Sequence, residues 1–433
     1  ENASAETAAT PTDPAIGVVL RPILVGMDSS RRSVYFDPHS PVDRLDNVNT
    51  MVTGSSGKGK TQLIKYLITS IREQGANALL LDFKNDFVSD PHFIAGARLN
   101  ATLVAFDGMP FNPLIPFPIA DPRTGKKFIQ CAQHITGIAS VFRRTYSLGA
   151  QQEAAVKNAI RRAFTESGVD PTGTVPFNPE TTFPDLAAVG EILEETNPSA
   201  YNRLDPLFTL GLFREPFWRT SFASMVNQSA ALDFSQLPSD ELKNALAELV
   251  VLSAHSFLNS QPHCGTLKQV FVVDEAHRVL KADFLERFAL ECRAYGVGLL
   301  LASQYPYHFP PGISASMATK IIHGNDRDLE RVRDIVSLLG CPGREALIAD
   351  LGMFEAIFSN KHFRNTPIRT ITYPLYLVLS AIRQSGPMSL EEIERIPGVD
   401  PQKLSAGNIV FHLERLGLCE SAGGKVRLVR TDS

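Results

Sequence analysis

The sequence predicts an α/β fold built on a mostly parallel sheet. Three observations carry that expectation. A β-prone run over residues 50–53 leads through a glycine-rich turn, 54–61, into a helical pattern over 62–73. Unbroken apolar runs end at Leu81, Val273 and Ala302, as strands buried on both faces do. Residues 50–120 read strand, turn, helix, strand, strand, which is the first half of a doubly wound sheet.

The turn is the most informative element. Gly54-Ser55-Ser56-Gly57-Lys58-Gly59-Lys60-Thr61 fits G-x-x-x-x-G-K-[ST] in its strand–turn–helix setting. Glycines let successive N–H groups converge on phosphate oxygens, and the helix that follows points its positive end at them. Lys60 is suited to the β- and γ-phosphates, and the Thr61 hydroxyl to Mg²⁺. Far downstream, the apolar run 270–273 ends in Asp274-Glu275. Asp274 would hold Mg²⁺ through water. Glu275 would orient or deprotonate an attacking water. Two carboxylates ending a buried strand are costly unless they have a task. The two motifs in this order imply hydrolysis of ATP with Mg²⁺.

Spacing excludes several classes of P-loop protein. The Asp274-Glu275-Ala276-His277 letters suggest a DEAH-box helicase, but the two motifs lie too far apart, and no second sheet domain follows. Leu404-Ser405-Ala406-Gly407-Asn408 follows the Asp274 strand, the wrong order for a transporter signature. Four further segments bear on the family: the strand ending in Asp82-Phe83-Lys84-Asn85-Asp86-Phe87; Phe111-Asn112-Pro113-Leu114 after a strand over 102–106; Glu291-Cys292-Arg293-Ala294-Tyr295-Gly296 leading into the strand 299–302; and Ser303-Gln304 at its end. In this order the set resembles the HerA/FtsK superfamily of ring-forming, DNA-translocating ATPases, which includes conjugation ATPases of the VirB4 type. The resemblance covers roughly residues 23–371. It implies a RecA-like P-loop NTPase domain, ATP and Mg²⁺, duplex DNA as a partner, and a homo-oligomer, most simply a hexamer. Appendage-bearing members also resemble the ATPase subunit of phosphorothioation-linked DNA restriction, which would add a nuclease or other defence-complex subunits.

Residue roles carry over from the resemblance. Lys60, Thr61, Asp274 and Glu275 match the hydrolytic core. Gln304 matches the polar residue that senses the γ-phosphate; a strand-end amide is the plainer alternative. Asp82 matches an acidic residue near the metal, or it caps the helix after its strand. Arg293 matches an arginine that can serve a neighbouring subunit's site, where such a group is worth roughly 10³–10⁵ in rate; a solvated salt-bridged face is the alternative. The chain departs from the family pattern at Lys320-Ile321-Ile322-His323-Gly324, where an arginine is frequent. Arg327 or Arg331 stands near enough in sequence to substitute.

Composition bounds the rest. The chain has 433 residues, 44% hydrophobic and 20% charged, with a net charge of −4, as a globular protein with a sizeable core would have. No apolar run approaches the ~18 residues that span a bilayer, so no membrane role is expected. Five scattered cysteines without a C-x-x-C pair indicate neither zinc nor a disulfide framework and fit a cytoplasmic location. The first residues lack both a basic stretch and an apolar core, so they are not a signal peptide; without an initiator Met the chain reads as a fragment of a longer one. A dedicated DNA-binding surface would make the balance basic. The acidic balance argues against one, although a ring can gather cations in its pore.

The expected organisation is a disordered tail over 1–14, the ATPase domain over 15–372 with a β-rich start (18–47) and a helical insertion (126–231), and a C-terminal winged-helix domain over 373–433. Five prolines over 110–122 rule out regular structure there. In the insertion, Leu210-Gly211-Leu212-Phe213 and Phe217-Trp218-Arg219 form either an aromatic platform for bases or simple core. In the last domain Ser389 and Glu392 stand at capping-box spacing, and Ala422-Gly423-Gly424 turns a hairpin. Lys403, Asn408, His412 and Arg415 on its third helix are candidate DNA readers. Seven basic and seven acidic residues over 373–433 favour a protein contact or a weak sensor over tight DNA binding. The alternative function is therefore an ATP-gated regulatory subunit that threads no DNA.

Overall fold

The computed structural model describes residues 17–213, 221–281, 283–324 and 328–429. The tail over 1–14, Phe217-Trp218-Arg219 and Arg327 lie outside the described residues. In chain order, β1 (Ile23–Asp28) and β2 (Ser33–Phe36) form a hairpin. Its bend is held by Asp28, which accepts from the Ser30 and Arg32 amides. β3 (Thr50–Thr53) feeds the glycine turn and the helix Lys60–Glu73. β4 (Asn77–Asp82) and β5 (Asn100–Leu103) follow. β6 (Ile119–Ala120), β7 (Lys127–Gln130) and β8 (Thr174–Pro176) make a small separate sheet. β9 (Ala230–Asp233), β10 (Cys264–Val273), β11 (Tyr295–Ser303), β12 (Thr319–His323), β13 (Glu355–Ser359) and β14 (Thr366–Thr370) return to the main sheet.

The main sheet has eleven strands in the order β2-β1-β14-β13-β12-β3-β11-β10-β4-β9-β5. From β12 to β5 every neighbouring pair is parallel. From β12 outward to β2 every pair is antiparallel. The parallel strands at the centre are buried on both faces, which is why they read as unbroken apolar runs. Helices cover both faces and divide the core into two large clusters.

Several boundaries differ from expectation. The strand expected over 102–106 ends at Leu103, and the chain turns helical over Val104–Asp107; the Asp107 carboxylate accepts the Leu103 amide and fixes the turn. The stretch from 126 opens as β7 before the helices Cys131–Thr145 and Ala150–Glu166. The proline-rich loop contains β6, paired with β7. The insertion over 126–231 runs into β9, which lies between β4 and β5. Four residues, two of them alanine, give too short and too weak a β signal to read in sequence.

The C-terminal unit holds the helices Tyr373–Ser385, Leu390–Glu394 and Ala406–Leu416 and the hairpin β15 (Cys419–Ala422)–β16 (Lys425–Leu428). The Ser389–Glu392 capping box is formed. The third helix starts at Ala406 with Ser405 as its cap. This unit has no core of its own. Its apolar residues share one cluster with the helix Lys60–Glu73 and β1. The Tyr376 ring meets Tyr66 at 5.2 Å, and Tyr373 meets Phe93 edge-on at 5.8 Å.

Candidate functional site

The carboxyl ends of β3, β11, β10 and β4 are neighbours in the sheet, so the sequence motifs converge without further folding. Gly54, Gly57 and Gly59 have φ of 144°, 75° and 102°, values that L side chains rarely adopt. The loop is also squeezed. A Cβ on Gly54 would lie 2.6 Å from the His323 Cβ, and one on Gly59 would lie 2.6 Å from the Phe354 ring. The Gly54 amide donates to the Gln304 carbonyl (3.2 Å), and the Ser55 amide to the Gly324 carbonyl (3.1 Å). The Phe354 amide donates to the Lys58 carbonyl (3.3 Å). Ser56 is exposed, and Thr61 stands in the first turn of the helix. The Lys60 ammonium folds back over its loop, donating to the Gly54 carbonyl and to that of Ser55 at 3.0 Å. Burial pulls its pKa below the ordinary lysine value, with the Asp274 and Glu275 charges opposing.

Asp274 and Glu275 end β10 in different environments. Burial, reinforced by Glu275 and Asp82, pushes the Asp274 carboxyl up to about 7. Glu275 is left-handed at φ 54° and almost fully buried. Its carboxylate pairs with the Lys84 ammonium through Oε1 and lies 3.3 Å from His277 Nδ1 through Oε2. Sequence reasoning did not single out Lys84 or His277 for this role. Lys84 stood inside the quoted motif after β4, but its partner is distant in the chain.

Asp82 is fully buried, and its oxygens accept four backbone amides: Lys84 (3.1 Å), Asp86 (3.3 Å), Phe87 (2.9 Å) and Val88 (3.0 Å). Burial raises its pKa and these amides oppose the rise. Its oxygens build the turn after β4, within electrostatic reach of Asp274.

Gln304 follows β11 directly, beside the glycine loop. Arg293 does not join it. It sits, exposed, on a single turn over Cys292–Ala294 at the other end of β11, a nine-residue strand and so roughly 30 Å long. It lines a cleft with Arg44, His263 and Cys264. Within one chain Arg293 cannot reach the loop. Arg331 stacks over the Tyr305 ring at 4.2 Å and pairs with Asp328 at 3.5 Å. His323 is fully buried; burial, helped by Lys60, lowers its pKa to about 3. It is neutral and supplies no charge.

The donor set suits a divalent cation that is shared with a ligand. Asp274 is buried, and its carboxylate has no hydrogen-bond or ion-pair partner among the described residues. No group of three or more His, Cys, Asp or Glu among the described residues could hold a metal alone. Mg²⁺ commonly takes one or two protein ligands and completes its shell with waters and phosphate oxygens, and Thr61 with Asp274 fits that pattern. No helix of the described residues is long and apolar enough to cross a membrane.

Comparison with known proteins bears on the fold. Residues 40–103 match the family model of the type IV secretion-system coupling protein DNA-binding domain. No curated protein matches the chain. The structure of VirB4 of Thermoanaerobacter pseudethanolicus is similar over 84% of this chain and 98% of that one, at 19% identity and a TM-score of 0.61. The bacterial conjugative coupling protein TrwB in its unbound monoclinic form is similar over 75% and 86%, at 14% identity and 0.52. The plasmid coupling protein TrwB in complex with ADP and Mg²⁺ gives 75%, 85%, 13% and 0.52. These likenesses show a shared fold: the chain folds like VirB4 and TrwB.

Proposed function

We propose that the protein is an ATP-hydrolysing motor of the DNA-translocase type, working as a homo-oligomer, most simply a hexamer. One observation carries the reading: β3 and β10, parallel strands on either side of β11, deliver a strained, compressed P-loop and a desolvated Asp274-Glu275 pair to the same end of the sheet. Lys60 and the loop amides would bind the phosphates. Thr61 and Asp274 would hold Mg²⁺, which neutralises charge building on the β- and γ-oxygens. Glu275 would take a proton from water as the water oxygen bonds to the γ-phosphorus. The bond from phosphorus to the β–γ bridging oxygen breaks, giving ADP and phosphate. Gln304 stands where it can report the γ-phosphate.

Arg293 is exposed and remote from its own site, so a role in catalysis would require a second copy. Relatives crystallised with ADP and Mg²⁺ support the nucleotide, and the coupling-protein family match supports DNA as the partner. A place in DNA defence, with a nuclease subunit, and a cytoplasmic location are compatible with this reading.

The deciding experiment measures ATPase rate against protein concentration, with and without duplex DNA, beside Glu275→Gln as the blank. A steep concentration dependence and stimulation by DNA are expected. Activity indifferent to DNA would favour the second reading, an ATP-gated regulatory subunit. A specific contact favours that alternative: His412 of the C-terminal unit packs on Phe354, which covers Gly59.

A further inference from the structure

Glu275 is the group expected to accept the proton of water, yet its carboxylate is already engaged by Lys84. The two side chains differ in freedom. Glu275 is 7% exposed and Lys84 is 44% exposed. The lysine backbone, by contrast, is fixed. Asp82 accepts its amide and three more in the same turn, and Asn85 completes that turn at φ 61°. A fully buried carboxylate and a left-handed residue thus anchor a half-exposed ammonium beside Glu275. From there Lys84 acts electrostatically on Lys60 and on Asp274 as well as on Glu275. The lysine that would grip the phosphates is therefore a near neighbour of the lysine that grips the base.

We propose that Lys84 is a latch shared between Glu275 and the γ-phosphate. Without a triphosphate its ammonium pairs with Glu275. When ATP binds, the ammonium moves to the γ-phosphate and frees the carboxylate to take the proton of water. This rests on the ATPase reading above. The γ-phosphate carries more charge than a carboxylate and offers more oxygens, so it is the stronger partner for a point cation. Only the side chain has to move, because the Asp82 turn holds the backbone. Glu275 keeps its second neighbour, His277, after the lysine leaves. ADP has no γ-phosphate and would leave the latch closed, so Lys84 distinguishes the two nucleotides.

Equilibrium binding of Mg·ADP and of Mg·adenylyl imidodiphosphate to the full chain tests this without hydrolysis. Lys84→Ala should narrow the preference for the triphosphate analogue about 10- to 100-fold, the worth of one charged hydrogen bond. Lys84→Arg should keep most of that preference, and Lys84→Gln should lose it if the alanine variant fails to fold. Glu275→Gln removes the competing carboxylate. It should tighten analogue binding when Lys84 is present and leave it unchanged when Lys84 is alanine, a non-additive cycle. An unchanged ADP-to-analogue ratio in Lys84→Ala, or additive effects of the two substitutions, would overturn the latch and reduce the contact to a structural ion pair. If the unaltered chain and Lys60→Ala bind neither nucleotide, the ATPase reading itself falls, and the latch with it.

Discussion

Two turns leave the same edge of the sheet side by side, one after β4 and one after β10, and they treat a buried aspartate in opposite ways. The strands are parallel partners, with Leu81 beside Val273. Each turn contains a left-handed non-glycine residue, Asn85 or Glu275. Asp82 is wrapped by four amides, so its charge is spent on shaping the turn. Asp274 is as deeply buried but has no such wrapping, and its proton affinity rises to about 7. A satisfied buried carboxylate is architecture. An unsatisfied one costs stability and persists where a cation or substrate completes it.

The largest expected effects fall on the β10 turn. Glu275→Gln should slow hydrolysis by about 10²–10⁴-fold, the usual worth of a general base, while ATP still binds. Lys60→Ala should abolish binding of ATP. Wild-type turnover in Glu275→Gln would move the base elsewhere, and unchanged nucleotide affinity in Lys60→Ala would remove the P-loop from the function.

The aspartates themselves give the sharpest contrast. Asp274→Asn should cost more than about 100-fold in Mg²⁺-dependent hydrolysis yet leave the nucleotide-free protein as stable, or more stable, because a desolvated charge is gone. Asp82→Asn turns an NH₂ group towards amide donors and should cost about 2–4 kcal/mol of folding stability. Denaturant midpoints beside ATPase rates check both. A folded Asp82→Asn protein without activity would erase the contrast and move Asp82 into the chemistry.

pH separates the buried groups by direction. His134, fully buried with Nε2 bonded to the Pro113 carbonyl (2.8 Å), has its pKa lowered by burial to about 4. The unfolded chain binds that proton more readily, so stability is full above about pH 6.5 and drains as pH falls towards 4, by roughly 3 kcal/mol. Asp274 runs the other way. Its raised pKa stabilises the fold below its ordinary value of 3.8, and that contribution is lost as pH rises towards 7. The two windows overlap between about pH 4 and 6.5, so the opposing slopes largely cancel in the unaltered protein. Asp274→Asn should unmask urea midpoints that fall as pH drops towards 4, and His134→Asn should unmask midpoints that fall as pH rises towards 7.

Much of the candidate site could be read in the sequence because its motifs are local. A P-loop is eight consecutive residues, and Asp274-Glu275 announces itself by ending an apolar run. The sheet's parallel half was legible for the same reason: strands buried on both faces carry no alternation. What was hidden depends on pairing between distant segments. Lys84 meets Glu275 only because β4 and β10 are neighbours in space. Ala230–Asp233 becomes a strand only because β4 and β5 leave a gap that its backbone fills. Arg293 stays open for a related reason, since its partner would lie on another chain.

The smallest predicted effect concerns the C-terminal unit. It reaches the P-loop through a short chain of contacts: His412 meets the Phe354 ring edge-on at 5.1 Å, and that ring rests where a Gly59 side chain would be. Burial, with Arg369 and Arg415 nearby, lowers the His412 pKa, so the ring packs mainly as a neutral aromatic. An edge-to-face pair contributes about 0.5–1.5 kcal/mol. His412→Ala should therefore lower stability by about that amount and change ATP affinity only a few-fold. Isothermal titration beside thermal denaturation would measure both. A loss of ATP affinity beyond about tenfold, more than 1.4 kcal/mol, would exceed what packing supplies. The helix Ala406–Leu416 would then sense the occupied P-loop, and the regulatory reading would gain its mechanism.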